Sequence, residues 1–206
     1  MFLHVINDIL HAQESRFLSP DGRCYTFDER ANGYARGEGV GCVILKPLAD
    51  ALRDGDTIRA VIRATGSNQD GRTSGITLPN PVAQEALIRD VYEAAGLDPR
   101  ETSYVEAHGT GTSAGDPLET RALSKVFCSD REPDKPLIIG SIKSNLGHLE
   151  GASGIASVIK TVLMLENEII LPNRNFKYPN PRIPFQEWKL KVKISIRLKT
   201  LPAQDG

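Results

Sequence analysis

Apolar residues along this chain recur with two spacings, one near two residues and one near 3.6, and the change from one to the other predicts its elements. Leu137 to Ile142 is a short β-branched run that reads as a buried strand. Leu149 to Leu165 carries Ile155, Val158, Ile159, Val162 and Leu163 at helical spacing. Between them lies a tight polar turn with Lys143 and His148. Upstream, Val40 to Leu45 and Ile58 to Ala64 read as strands. Pro47 marks a stop and Asp54-Gly55-Asp56 a turn, so the pair is expected to form a hairpin.

The remaining elements carry clearer punctuation. Thr65 to Pro79 is rich in Gly, Ser, Asn and Asp and reads as a loop. Asn80-Pro81 supplies a cap and a first-turn proline, Gly96 a stop, and Val82, Ala86, Val91 and Ala95 an inner stripe, which predicts a helix over 81–95. Ser103 to Ala107 reads as a strand. Asp116-Pro117-Leu118-Glu119 opens another helix, with Glu119 at the capping-box position and Leu118, Ala122, Leu123 and Val126 facing inward. Lys189 to Lys199 alternates, with Leu190, Val192, Ile194, Ile196 and Leu198 on one face and Lys and Arg on the other, as a half-buried edge strand does. Met1 to Arg16 reads as a one-faced helix. The order predicts an α/β chain whose later strands run parallel.

Composition narrows the class. With 206 residues and 40% hydrophobic content the chain supports one sizeable core, and no run of about 18 apolar residues suggests a membrane span. A net charge of −1 gives no field suited to nucleic acid or an anionic membrane. Three scattered cysteines fit a reducing compartment, and the apolar N-terminal patch has no basic leader, so the expected location is cytoplasmic.

Candidate chemistry gathers at strand ends, where α/β domains hold reacting groups. His108 follows one predicted strand; Lys143 and His148 follow the next. Taken singly, either histidine reads as a structural hydrogen-bonding group. Three titratable groups converging at neighbouring strand ends read as an active site. His148 is expected at a helix start, where the dipole disfavours protonation and leaves an imidazole able to donate to a carbonyl oxygen. Two histidines without a thiol or carboxylate ligand make a poor zinc site, so no metal is expected. His108-Gly-Thr-Gly-Thr-Ser-Ala-Gly115 also admits a phosphate-loop reading, although its spacing differs from G-x-G-x-x-G; alternatively Thr110 and Thr112 offer hydroxyls to an amide-bearing arm.

Val105-Glu-Ala-His-Gly-Thr-Gly-Thr112 and Lys143-Ser-Asn-Leu-Gly-His-Leu-Glu-Gly-Ala-Ser-Gly154 resemble the β-ketoacyl synthase family. Asp21-Gly-Arg-Cys-Tyr-Thr-Phe-Asp28, Arg30-Ala-Asn-Gly-Tyr-Ala-Arg-Gly-Glu-Gly39 and Asn180-Pro-Arg-Ile-Pro-Phe185 are similar to ketosynthase domains of polyketide synthases, most like the fungal reducing type. The likeness runs over about 17–192, leaving 1–16 and 193–206 unmatched. It implies an incomplete thiolase-like fold, the end of the first half and most of the second. It implies decarboxylative Claisen condensation of acyl and malonyl-type thioesters on an acyl carrier protein, with no cofactor bound directly beyond the carrier's phosphopantetheine. It further implies His108 and His148 as the histidines that polarise the thioester carbonyl, Lys143 as the lysine that organises the site, Thr110 and Thr112 as holders of the phosphopantetheine arm, and a homodimer in intact members. The family's acyl-accepting cysteine is expected upstream of this chain. Cys24 falls in a turn, Cys42 mid-strand and buried, and Cys128 at a helix C-terminus, none of them a place that activates a thiol. A fragment not competent alone is therefore expected, with a non-catalytic interaction module as the alternative.

Overall fold

The computed structural model describes residues 17–75 and 78–195. The expected helix over Met1 to Arg16 and the alternation from Ile196 onward lie outside the described residues. In chain order the helices are α1 (Leu48–Asp54), α2 (Pro81–Ala95), α3 (Gly115–Phe127), α4 (Lys143–Leu146) and α5 (Ser153–Glu166). The strands are β1 (Tyr104–Glu106), β2 (Leu137–Gly140) and β3 (Leu190–Val192).

The three strands form one parallel sheet in the order β1-β2-β3, with Val105 opposite Ile139 and Ile139 opposite Val192. Parallel neighbours need a crossover. Helix α3 lies in the one from β1 to β2, and α4 and α5 lie in the one from β2 to β3. Leu137 and Ile139 share one face of the central strand and are buried in a cluster with Phe27, Leu123, Val126, Phe127, Ile183 and Leu190. Truncating either to Ala costs about 2–5 kcal/mol.

Several expectations need correction. No hairpin forms: α1 separates 40–45 from 58–64, opened by Pro47 and closed by Gly55 in the left-handed region, and neither stretch is paired among the described residues. A strand exists only by its ladder, and these stretches have none, so Val40 and Ile44 stand 97% and 99% exposed and Cys42 is exposed rather than buried. Helix α2 has the predicted ends, Asn80 accepting from Val82 and Ala83 and Gly96 in the left-handed region. Its packed face differs: Ile88 and the larger Tyr92, edge-on to Phe127 at 5.3 Å, meet the core, while Val82 and Ala86 are exposed. The bulkier i, i+4 pair buries more apolar area than the valine and alanine positions. Strand β3 is three residues long, because Lys189 has φ 52 before it and Ile194 is already exposed beyond it. Helix α5 starts at Ser153, after a 3₁₀ turn at Glu150–Ala152, and the expected polar turn contains α4.

Candidate active site

His108 leaves the end of β1, and Lys143 and His148 follow β2, so the parallel register places their loops side by side. Glu119 fixes the first loop. Its Oε1 accepts from the His108 N–H at 2.6 Å and its Oε2 from the Gly109 N–H at 2.8 Å. This corrects the capping-box reading: α3 begins at Gly115, the Glu119 carboxylate is drawn to the loop, and Thr112 Oγ1 does the capping by accepting from the Gly115 N–H at 3.1 Å. Buried Asp116 accepts from Phe27 N–H at 2.7 Å and Gly111 N–H at 3.1 Å; burial raises its pKa to about 7 against those donors. Gly109 sits at φ 48, where a Cβ would come within 2.7 Å of Ser141 and Thr26, so the turn needs glycine.

The second loop is held from the other side. The His148 N–H donates to Ala35 O at 2.7 Å and the Gly37 N–H donates to His148 O at 3.0 Å, which straps the histidine to 35–37. Gly147, at φ 78, permits this approach: a Cβ there would meet Ala35 O at 2.9 Å. His148 is not at the start of the long helix. Its state is set instead by the Glu150 N–H, which donates to Nδ1 at 3.0 Å, with the Ser153 hydroxyl 2.9 Å from the same atom. An Nδ1 that accepts leaves the proton on Nε2, the tautomer that can donate outward.

The two imidazoles meet edge to face, ring centroids 5.2 Å apart, with Tyr34 against His148 at 5.0 Å. Loss of water holds His108 down at about 4, helped by the Lys143 charge and by His148. Loss of water also lowers His148; the Glu150 carboxylate opposes this and the Lys143 and Arg36 charges add to it. At pH 7 a group with pKa near 4 is roughly one part in a thousand protonated. The His108 ring is therefore neutral, and loss of water shifts His148 in the same direction.

Lys143 is buried and lowered by desolvation, while the Glu119 and Glu106 carboxylates pull it back toward the charged form. Its charge reaches both histidines, yet it lines a cavity of about 870 Å³, with Cys24, Leu146, Lys160 and Asn175, that neither histidine ring lines. Thr110 and Thr112 lie beyond His108 with their hydroxyls 3.2 Å apart. Burial raises the Cys24 and Cys128 thiols, so neither is poised as a thiolate.

Sequence reasoning missed the carboxylates that hold these loops. Glu106 accepts from the Ile142 N–H at 2.6 Å, next to Lys143. Asp28 accepts from Arg30, Lys177 and Tyr178 and ties 24–30 to 175–180. One signal was available: Asp116 and Glu119 stand three apart on one face of a predicted helix, directly after the loop they grip.

One parallel sheet thus carries the two histidines on loops at adjacent strand ends, where α/β domains hold reacting groups. Comparison with known proteins makes this specific. The β-ketoacyl synthase C-terminal domain matches residues 59–177 and the N-terminal domain residues 6–51. The chain belongs to the β-ketoacyl synthase family. It is 71% identical over 181 residues to a highly reducing polyketide synthase, phiA, of a fungal species, and 66% identical over the same length to a reducing polyketide synthase of Cochliobolus heterostrophus. Each alignment takes 88% of this chain and 7% of the relative. The ketosynthase from module 6 of the bacillaene synthase from Bacillus subtilis superposes with a TM-score of 0.89 at 43% identity, covering 97% of this chain and 35% of that one. An oxazolomycin ketosynthase domain of Streptomyces albus gives 0.85 at 39% identity, over 90% and 32%. The fold is thus thiolase-like, and the chain spans about a third of the solved ketosynthases it matches.

Proposed function

We propose that this chain carries the decarboxylating part of a polyketide ketosynthase site. His108 and His148 each donate an N–H to the thioester carbonyl oxygen of a malonyl-type unit. As the bond from C2 to the carboxylate breaks, its electron pair passes into the enolate, whose oxygen the two neutral imidazoles hold, and carbon dioxide leaves. Such preorganised donors are worth about 10²–10³ in rate each. Lys143 acts through its field, and Thr110 and Thr112 hold the phosphopantetheine arm of an acyl carrier protein. The observation that supports this best is the pair of imidazole rings 5.2 Å apart, one with its Nδ1 accepting from the Glu150 N–H.

Condensation needs an acyl-accepting thiolate, and none of the three cysteines takes that part: Cys24 and Cys128 are buried, and Cys42 lies on an unpaired stretch outside the histidine loops. The expected products from a malonyl thioester are therefore carbon dioxide and the acetyl thioester, with water protonating the enolate. Incubation with a carboxyl-labelled malonyl-pantetheine thioester tests this. Label release that falls about 100-fold in His148→Ala, without stable acylation of the chain, supports the proposal. Release unaffected by the substitution, or acyl loading followed by carbon–carbon bond formation, overturns it.

A second reading has its own observation. Val40, Ile44, Leu45, Ile58, Val61 and Ile62, from two stretches of strand composition, are all open to solvent. This exposure suits a chain that works packed against further protein, whether a second copy or a complementing segment. Light scattering that shows a monodisperse monomer across working concentrations argues against it.

A further inference from the structure

Between β1 and α5 lies a cluster that the decarboxylation chemistry does not use. Glu106 and Lys160 are buried, with side chains 7% and 9% exposed, and the lysine Nζ donates to Glu106 Oε2 at 2.6 Å. Tyr104 shares the cluster: its hydroxyl donates to the same Oε2 and accepts from Lys160 Nζ at 3.0 Å. Gly140, opposite Glu106 in the sheet, leaves room for it, since a Cβ there would meet the Tyr104 hydroxyl at 2.8 Å. The other carboxylate oxygen, Oε1, accepts from the Ile142 N–H at 2.6 Å. That amide precedes Lys143, the first residue of α4. One carboxylate thus joins a buried ammonium on α5 to the backbone that carries the site lysine.

We infer that Glu106, held in place by Lys160 and Tyr104, is a positioning residue that fixes the Lys143 backbone and keeps its amine charged within a desolvated site. The inference rests on the proposed role of Lys143. The geometry gives Glu106 both halves of the task. Its Oε1 fixes where α4 starts, and its charge joins the larger contribution of Glu119 in favouring the Lys143 ammonium against burial. Lys160 is needed because a buried carboxylate without a counter-charge is costly and shifts toward water. Both ammonium groups border the same cavity, as do Ile142 and Ser144 around the gripped amide. Tyr104, whose phenol burial and the Glu106 charge push upward, stays neutral and serves as donor and acceptor.

Competitive labelling of Lys143 with an amine-reactive anhydride, quantified by peptide mass spectrometry, reads the neutral-amine fraction and needs no turnover. Glu106→Gln keeps an oxygen for the Ile142 N–H but removes the charge, so Lys143 is expected to label roughly threefold faster at neutral pH, in line with the loss of one neighbouring opposite charge. Lys160→Met removes a cation from the same cavity and should not speed labelling, and Lys160→Arg, which keeps the counter-charge, should leave the slow rate unchanged. Circular dichroism checks that each variant is folded; if Lys160→Met is not, Glu106→Gln and Lys160→Arg decide alone. Labelling at the unaltered rate in folded Glu106→Gln overturns the inference, whatever the chain does to malonyl thioesters. Faster labelling in Glu106→Gln, with the slow rate kept in Lys160→Arg, supports it, and carbon dioxide release measured on the same samples separately tests the proposed function.

Discussion

Replacing Asp28 by Ala is predicted to loosen the joint that holds the site's two flanks. The carboxylate is buried and accepts at both oxygens: Oδ1 takes the Arg30 N–H at 3.0 Å and Nε at 2.6 Å, and Oδ2 takes Arg30 Nη2 at 3.0 Å, Lys177 N–H at 2.6 Å and Tyr178 N–H at 2.8 Å. Removing it strands three backbone amides, those of Arg30, Lys177 and Tyr178, at about 1–3 kcal/mol each before solvent compensates. Lys177 and Tyr178 are partly exposed, so water recovers some of this and a net loss of about 3 kcal/mol follows. With a urea slope of about 1–3 kcal/mol per molar, the unfolding midpoint should fall by about 1.5 M. Asp28→Asn is the sharper probe. Its single oxygen can face the Arg30 side or the 177–178 side, and its amide nitrogen then meets donors on the other, so Asn should cost nearly as much as Ala. Burial works against the carboxylate, yet Arg30 and the backbone donors hold its pKa at about 2, below the ordinary 3.8. Its stabilisation is therefore fully present above pH 4 and disappears as pH falls through 2, so wild type and Asp28→Asn should converge below about pH 2. Midpoints within about 0.3 M of each other at pH 7 would refute the reasoning.

Other outcomes follow from the same structure. In a nitrogen-15 titration of the imidazoles, His108 should stay neutral to about pH 4; because its folded pKa lies below the ordinary 6.5, its protonation disfavours the fold as pH drops from 6.5 through 4. A His108 midpoint near 6.5 would mean that the ring is not desolvated as described. Gly109→Ala should destabilise by more than the about 1 kcal/mol typical of surface changes, since φ 48 and the 2.7 Å approaches to Ser141 and Thr26 forbid its Cβ; thermal melting checks this. Val40→Ser with Ile44→Ser should leave the melting temperature within about 2 °C while reducing self-association in sedimentation, because these side chains bury nothing. A large drop in melting temperature would show that they are packed after all.

Local rules read these elements well because they carry their own signals: Asn80-Pro81 and Gly96 bracket α2, and a β-branched run marks β2. The position of the two histidines after successive predicted strands was enough to expect them near one another, and their rings lie 5.2 Å apart. What failed depended on partners distant in sequence. Residues 40–45 and 58–64 have strand composition but no ladder among the described residues, and period alone cannot say whether a partner exists. Glu106 looked like an ordinary surface acid, while Asp116 and Glu119 read as a helix start and its capping carboxylate. Their roles come from backbone amides 5 to 89 residues away, which no spacing rule reveals. The His148 tautomer belongs to the same group, since it is set by the 3₁₀ turn at Glu150 rather than by a helix dipole.

The claim on which the rest turns is that the His108 and His148 imidazoles act on one and the same oxygen. Carbon dioxide release from labelled malonyl-pantetheine, measured for His108→Ala, His148→Ala and the double variant, tests it most directly. Groups that work as a unit are not additive, so each single change should cost about 100-fold and the double change little more. Losses that multiply to about 10⁴-fold, or a single variant with full activity, would show that the two rings do not share that oxygen.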